Sequence, residues 1–265
     1  TTDFLLGENN KGLKKGINQR IYSKSYRKYA GKYNLYFYGT VNCESGTVTV
    51  ATLEINFAKE EAVTMKIATS EGGEKLYYGD LQISEMSPNV FIVLNSDFGE
   101  QVSLTFYDEP MNCETFQCAV GAMLSISAGD LKRAPVLNRF IITGYDVDEA
   151  HMKFIKAHLK LNTKYIDISP EMLSTSVEGV FGKCEMADRI TDRLKKAFYT
   201  KRYYAIEDSF IVNTLRKDEN LSLRQADELI AELRNNSLSN INFKINKSLD
   251  STVYRCTNPK NISQE

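Results

Sequence analysis

The chain has no tryptophan, and only two histidines, five prolines and five cysteines among 265 residues. His151 and His158 stand seven apart, roughly 10 Å along a helix axis. A helical metal pair needs a spacing of three or four, so no metal site is expected from them. The cysteines at 43, 113, 118, 184 and 256 are odd in number and form no C-x-x-C, which suggests neither a disulfide framework nor a zinc finger. Long apolar runs are missing too. Val90 to Leu94 is typical of the longest, whereas a membrane span needs roughly 20 such residues. No signal segment opens the chain. Unpaired cysteines then favour a reducing, cytoplasmic location. With 33 basic and 34 acidic side chains, no global field recruits nucleic acid or a lipid surface. G-x-S-x-G, P-loop, G-x-G-x-x-G, H-E-x-x-H and EF-hand patterns are all absent. No enzyme and no cofactor are expected. A chain opening on Thr1 reads as part of a longer product, whose upstream segment would carry a DNA-binding or membrane-anchoring module.

What is present is charge asymmetry and a change of period. Residues 1–32 hold eight basic and two acidic side chains, whereas residues 33–130 hold three Lys and fourteen Asp or Glu. Residues 131–144 add Lys132, Arg133 and Arg139, and the remainder is nearly neutral. Such asymmetry argues for modules: a basic helical segment 1–30, a β module 31–145 and a helical C-terminal domain 146–265. Within the first, Leu13, Ile17 and Ile21, continued by Tyr22, Tyr26 and Tyr29, give residues 11–30 the spacing of a basic amphipathic helix. Its charge should dock it on acidic surface, either the 33–130 region of its own chain or that of a partner.

From Tyr33 the period becomes two. Strands are predicted over 33–40, 46–57, 62–68, 74–85, 89–95, 100–107, 118–127 and 135–144, joined by short turns rich in Gly, Asn, Asp, Pro and Ser. Val102, Leu104 and Phe106 share one face of the cleanest strand. Eight short strands with no helix between them form an antiparallel meander that must stack as a sandwich or close on itself. Closure removes exposed edges and leaves an interior filled by side chains or by one small ligand, so a barrel is favoured. After Gly144 the pattern turns helical. Asp146 with Glu149 resembles a capping box; 165–168 reads as a short strand, and Ser169-Pro170 as a helix start. Helices are expected at 184–199, at 207–216 and from Ser222, with a weak strand near 241–245. The fold class is α+β.

The join between the last two strands is the most informative stretch. It places three cations in an otherwise acidic module, followed by a strand on which Val136, Asn138, Phe140 and Ile142 share a face. If that face is the interior, Asn138 is a buried polar group that must find a partner, either backbone or ligand. Arg133 and Arg139 serve either as ion-pair partners of nearby carboxylates or as anion ligands. The strand order, Tyr77-Tyr78-Gly79, and the run from Gly129 through Leu131, Arg133, Pro135 and Asn138 to Phe140 resemble lipocalin-like barrels used as sensor modules in bacterial proteins. Some of those barrels follow a helix-turn-helix, and others are cyclic-nucleotide receptors in antiphage effectors. The resemblance covers about residues 31–144. It implies a small anionic ligand, nucleotides included, in or at the mouth of the barrel.

The leading expectation is a non-enzymatic ligand sensor with Tyr36, Tyr78, Arg133, Asn138 and Arg139 as ligand-binding candidates, in a chain able to form a homodimer. The alternative is a DNA-binding regulator that uses the helical region 184–235. There Arg189, Arg193, Lys196, Lys201 and Arg202 mix with Phe198, Tyr199, Tyr203 and Tyr204, a mixture suited to phosphate contact and base stacking. Asp188 and Asp192 interleave with that stripe, as on an ordinary solvated helix face.

Overall fold

A computed structural model describes residues 24–40, 47–69, 72–84, 86–108, 115–127, 133–161, 165–200 and 202–244. The helix expected over 11–30 therefore lies mostly outside the described residues; its last part is the helix α1, Lys24–Arg27. The chain divides into two compact units, one built on 49–146 and the other on 147–243.

The first unit is an eight-stranded antiparallel meander: β1 Gly31–Tyr38, β2 Val48–Ile55, β3 Val63–Ala68, β4 Glu74–Ile83, β5 Asn89–Asn95, β6 Gln101–Tyr107, β7 Cys118–Ile126 and β8 Pro135–Thr143. Each strand pairs with the next, and β1 pairs with β8, so the sheet closes as a barrel. Leu35 lies opposite Ile142 and Phe37 opposite Phe140 at the closure. The interior follows the period of two: Val102, Leu104 and Phe106 are buried while Gln101 and Tyr107 are exposed. Gly121 also falls on the inward face. A Cβ there would meet the Phe140 ring at 2.5 Å, so the missing side chain gives that ring its space.

One end of the barrel is filled with rings. Tyr29 packs on Phe106 and Phe116 with centroids 6.0 and 5.1 Å away, and Tyr33 on Phe116 at 5.4 Å. Tyr26 meets Phe57 edge-on at 5.5 Å. Polar groups here are matched. The Lys28 ammonium, 4% exposed, lies 2.9 Å from Asp108, which also accepts from the Tyr29 hydroxyl. Tyr33 donates to the Tyr29 carbonyl at 2.9 Å, and Phe116 N–H to the Lys28 carbonyl at 2.9 Å. Among the described residues, Lys28 of the basic segment thus pairs with an acidic residue just past the end of β6.

The second unit contains α2 Met152–Leu159, β9 Ile166–Ile168, α3 Pro170–Phe181, α4 Glu185–Phe198, β10 Tyr204–Ile206, a helical stretch 208–218 with a π-helical turn at Ile211–Leu215, and α5 Leu223–Asn235. β9 and β10 pair antiparallel. Leu173, Val177, Ile190, Leu194, Leu229 and Leu233 form its buried core. Ser169 caps α3, accepting from Met172 N–H at 3.3 Å with Pro170 at the first helical position. Ser222 and Gln225 make a reciprocal capping box on α5. The expected cap at Asp146 is different. The helix begins only at Met152, and Asp146 instead accepts from the Asn34 side chain of β1 at 2.8 Å. Asn242–Lys244 is the weak strand expected near the tail.

Candidate ligand-binding mouth

The opposite end of the barrel is built from the β3–β4 and β5–β6 turns and the join of β7 to β8. A tight turn brings Glu100 to this rim: Ser96 N–H donates to the Glu100 carbonyl at 2.9 Å, and Gly99 takes φ +74°, a value glycine adopts without strain. The join is pinned by Ser127 N–H to the Ala134 carbonyl at 2.8 Å and Ala134 N–H to the Ser127 hydroxyl at 3.0 Å.

Three side chains meet on the Glu100 carboxylate. The Tyr77 hydroxyl of β4 donates to it at 2.7 Å, Lys75 of β4 lies 3.3 Å away, and Arg133 of the join donates at 2.6 Å. Burial pushes this carboxyl up, but the Tyr77 hydrogen bond and the Lys75 and Arg133 charges outweigh it and hold it below its ordinary value. Burial, then the bond to Glu100, push the Tyr77 hydroxyl up, so it stays a donor. One carboxylate faces two cations whose side chains are 40% and 57% exposed, while Glu74 and Asp97 stand on the same two turns, so the excess of positive charge is local to the Glu100 cluster.

Asn138 lies inward of this rim, about 10 Å along β8 from its first residue. It is 1% exposed and opposite Met123, and both its Nδ2 and Oδ1 lack a hydrogen-bond partner among the described residues. Leaving a buried amide unpaired costs about 1–3 kcal/mol. The register explains its inward aim: Val136, Asn138, Phe140 and Ile142 alternate inward, as the sequence pattern implied.

The remaining candidates fall elsewhere. Tyr36 is buried on the face of β1 away from Leu35 and Phe37, opposite Ile141. Tyr78 is half-buried on the outer face, between Thr64 and Asn95. Arg139 also points outward, paired in register with Ala122. Lys132 lies outside the described residues. Of the five, the structure brings Arg133 and Asn138 to the mouth side of the interior. Sequence reasoning missed Tyr77, Lys75 and Glu100. The signal for Tyr77 was its phase with Leu81, two strand repeats further on, which puts Tyr77 inside and Tyr78 outside.

In the helical unit the basic stripe is largely matched. Arg193 donates to Asp218 and, at 3.2 Å, to Glu219; Arg189 donates to Glu219 at 3.4 Å. Those hydrogen bonds push the Arg193 guanidinium further up, fixing its charge on its own carboxylates. Phe198 turns inward against Phe210 at 4.8 Å. Lys196 and Arg202 are exposed, and Lys201 lies outside the described residues. His151 bonds Asp148 at 2.6 Å and His158 the Phe154 carbonyl at 2.8 Å. Among the described residues no three His, Cys, Asp or Glu side chains gather as a metal site, and no helix is long and apolar enough to cross a membrane. Comparison with protein-family models, with curated proteins and with solved structures finds no match to this chain.

Proposed function

We propose that the protein is a non-enzymatic ligand sensor whose barrel binds a small anionic ligand, with nucleotides the first class to test. The observation that carries the reading is Asn138: a carboxamide held inside the barrel without a partner, below the cluster of Lys75 and Arg133 around Glu100. Native folds rarely leave such a group unpaired unless something else pairs it. The ligand's charged part would lie against Lys75 and Arg133, where a guanidinium gives paired, charge-assisted hydrogen bonds. In this reading the helical unit carries the output, the protein acts in the bacterial cytoplasm as the lipocalin-like sensors it resembles do, antiviral defence included, and a homodimer is its assembly. Native mass spectrometry tests that assembly. The DNA-binding alternative has less support, since Arg189 and Arg193 are matched by Asp218 and Glu219.

The test is a thermal-shift screen of mono-, di- and cyclic nucleotides, repeated on Arg133→Ala and Asn138→Leu. A ligand at 100 times its dissociation constant stabilises the native state by about 2.7 kcal/mol. The reading expects at least one nucleotide to raise the melting point of the wild type and to lose that effect in Arg133→Ala. No shift from any nucleotide, or equal shifts in all three proteins, overturns it.

A further inference from the structure

The outside of the barrel differs from one side to the other. The outer face of β2 and β3 carries Thr52, Glu54, Thr64 and Lys66, with Lys59 on the Glu54 carboxylate at 3.0 Å. The outer face of β5 to β8 carries Phe91, Val93, Val120, Leu124, Ile126 and Leu137 instead, each 41–50% exposed. The strand registers make these one patch. Phe91, Thr105 and Ala122 lie in one row across β5, β6 and β7, and Val93, Ser103, Leu124 and Leu137 in the next. Six side chains of this size, about half open, expose on the order of 400 Å² of apolar surface, an extent at which a patch often marks an interaction site. Charge stands only at the borders of these rows, where Asp80 pairs in register with Val93 on the β4 side and Arg139 with Ala122 on the β8 side.

We infer that this face is where a second copy of the chain docks, sheet on sheet, about a two-fold axis that runs along β6. The inference rests on the homodimer proposed above and names its surface. Because β1 pairs with β8, the meander has no free edge for strand-to-strand pairing, so a dimer formed through the barrel must use a face. A two-fold interface has to be complementary to itself. The two rows meet that condition. An axis along β6 sets Phe91 of one copy over the partner's Ala122, and Val93 over the partner's Leu124, with Ser103 and Thr105 at the centre. The ring enters the hollow that an alanine leaves, and does so twice. The same axis lays the Asp80 border of each copy along the partner's Arg139 border, so opposite rather than like charges approach at the rim. Two such patches, with Ser103, Thr105, Ala122 and the exposed Tyr107 added, bury on the order of 1,200 Å², about what a specific interface needs.

Sedimentation velocity of the full chain over about 1–100 μM reads the assembly. The inference expects a dimer in that range, and a dissociation constant weakened at least tenfold in Phe91→Thr and in Leu124→Thr. Threonine suits a strand and both positions face outward, so these variants should still unfold cooperatively and keep any nucleotide-induced shift. Ala122→Phe alone should weaken the dimer by closing the hollow. Combining it with Phe91→Ala, which moves the ring from β5 to β7, should restore the dimer. A wild-type dimer that every variant leaves intact puts the interface elsewhere: the inference fails and the homodimer reading survives. A wild type that is monomeric over the whole range overturns both, and leaves the face to another occupant, a segment of this chain or a different protein. Weakening by the single variants without recovery in the combined one overturns the axis along β6, and the inference with it.

Discussion

The two ends of the barrel treat buried polar groups in opposite ways. At the ring-filled end every polar group described above has a mate: Lys28 with Asp108, the Tyr29 hydroxyl with Asp108, the Tyr33 hydroxyl with the Tyr29 carbonyl. At the mouth, the exposed rim is matched around Glu100, yet the deeper Asn138 is left with neither of its atoms paired. A matched buried network stabilises, whereas an unmatched one destabilises the unliganded fold and leaves binding capacity behind. The contrast is what supports the proposal of one structural end and one receptive end, without any appeal to sequence motifs.

The largest effect should come from the closed end. Phe106→Ala removes the ring that Tyr29, Phe116 and Phe140 all pack against and should cost about 3–5 kcal/mol, read by denaturant unfolding. An effect under about 1 kcal/mol would mean that the stack does not hold the barrel shut. Next, Lys28→Met should cost about 2–3 kcal/mol, because it leaves Asp108 without its cation; Asp108 is 21% exposed and keeps the Tyr29 hydroxyl, which moderates the loss.

A smaller effect concerns acid. The folded Glu100 carboxyl lies below its ordinary value of 4.5, so its contribution is complete above that pH and is lost as pH falls through the lower, folded value. Comparing wild type with Glu100→Gln across acidic pH should show a stability gap that closes in that window. A gap independent of pH would remove Glu100 as the rim's charged centre. Smallest of all, Arg133→Ala should change stability by less than about 1 kcal/mol, since its side chain is 57% exposed, and yet should abolish the nucleotide-induced shift.

Much of this was legible in the sequence, for a local reason. All eight strands lie within two residues of the expected bounds, because alternation over six to ten residues reports directly which face is wet. Asn138 could be placed inside by the same rule, in phase with Phe140 and Ile142. Closure was less legible, since it depends on Leu35 and Phe37 meeting Ile142 and Phe140 a hundred residues later. Tyr77 was hidden because Leu76 and Leu81 mark opposite faces of β4, so two phases compete. Glu100 was hidden more deeply: its partners come from two separate elements, β4 and the β7–β8 join, and no local pattern announces such a meeting. Asp146 misled for a related reason, as its helix-capping signature was overridden by Asn34 across the barrel seam.

The central claim is that the Asn138 amide is held for a ligand and does nothing for the empty fold. Its most direct test is the melting of the ligand-free wild type beside Asn138→Leu, a change that keeps the branching at Cγ, adds the bulk of two methyl groups and removes the unpaired polar atoms. The account predicts that Asn138→Leu is the more stable protein, by about 1–3 kcal/mol, and that it no longer responds to any ligand the wild type binds. A ligand-free Asn138→Leu that melts well below the wild type would show that the amide already has a structural partner, and would contradict the account.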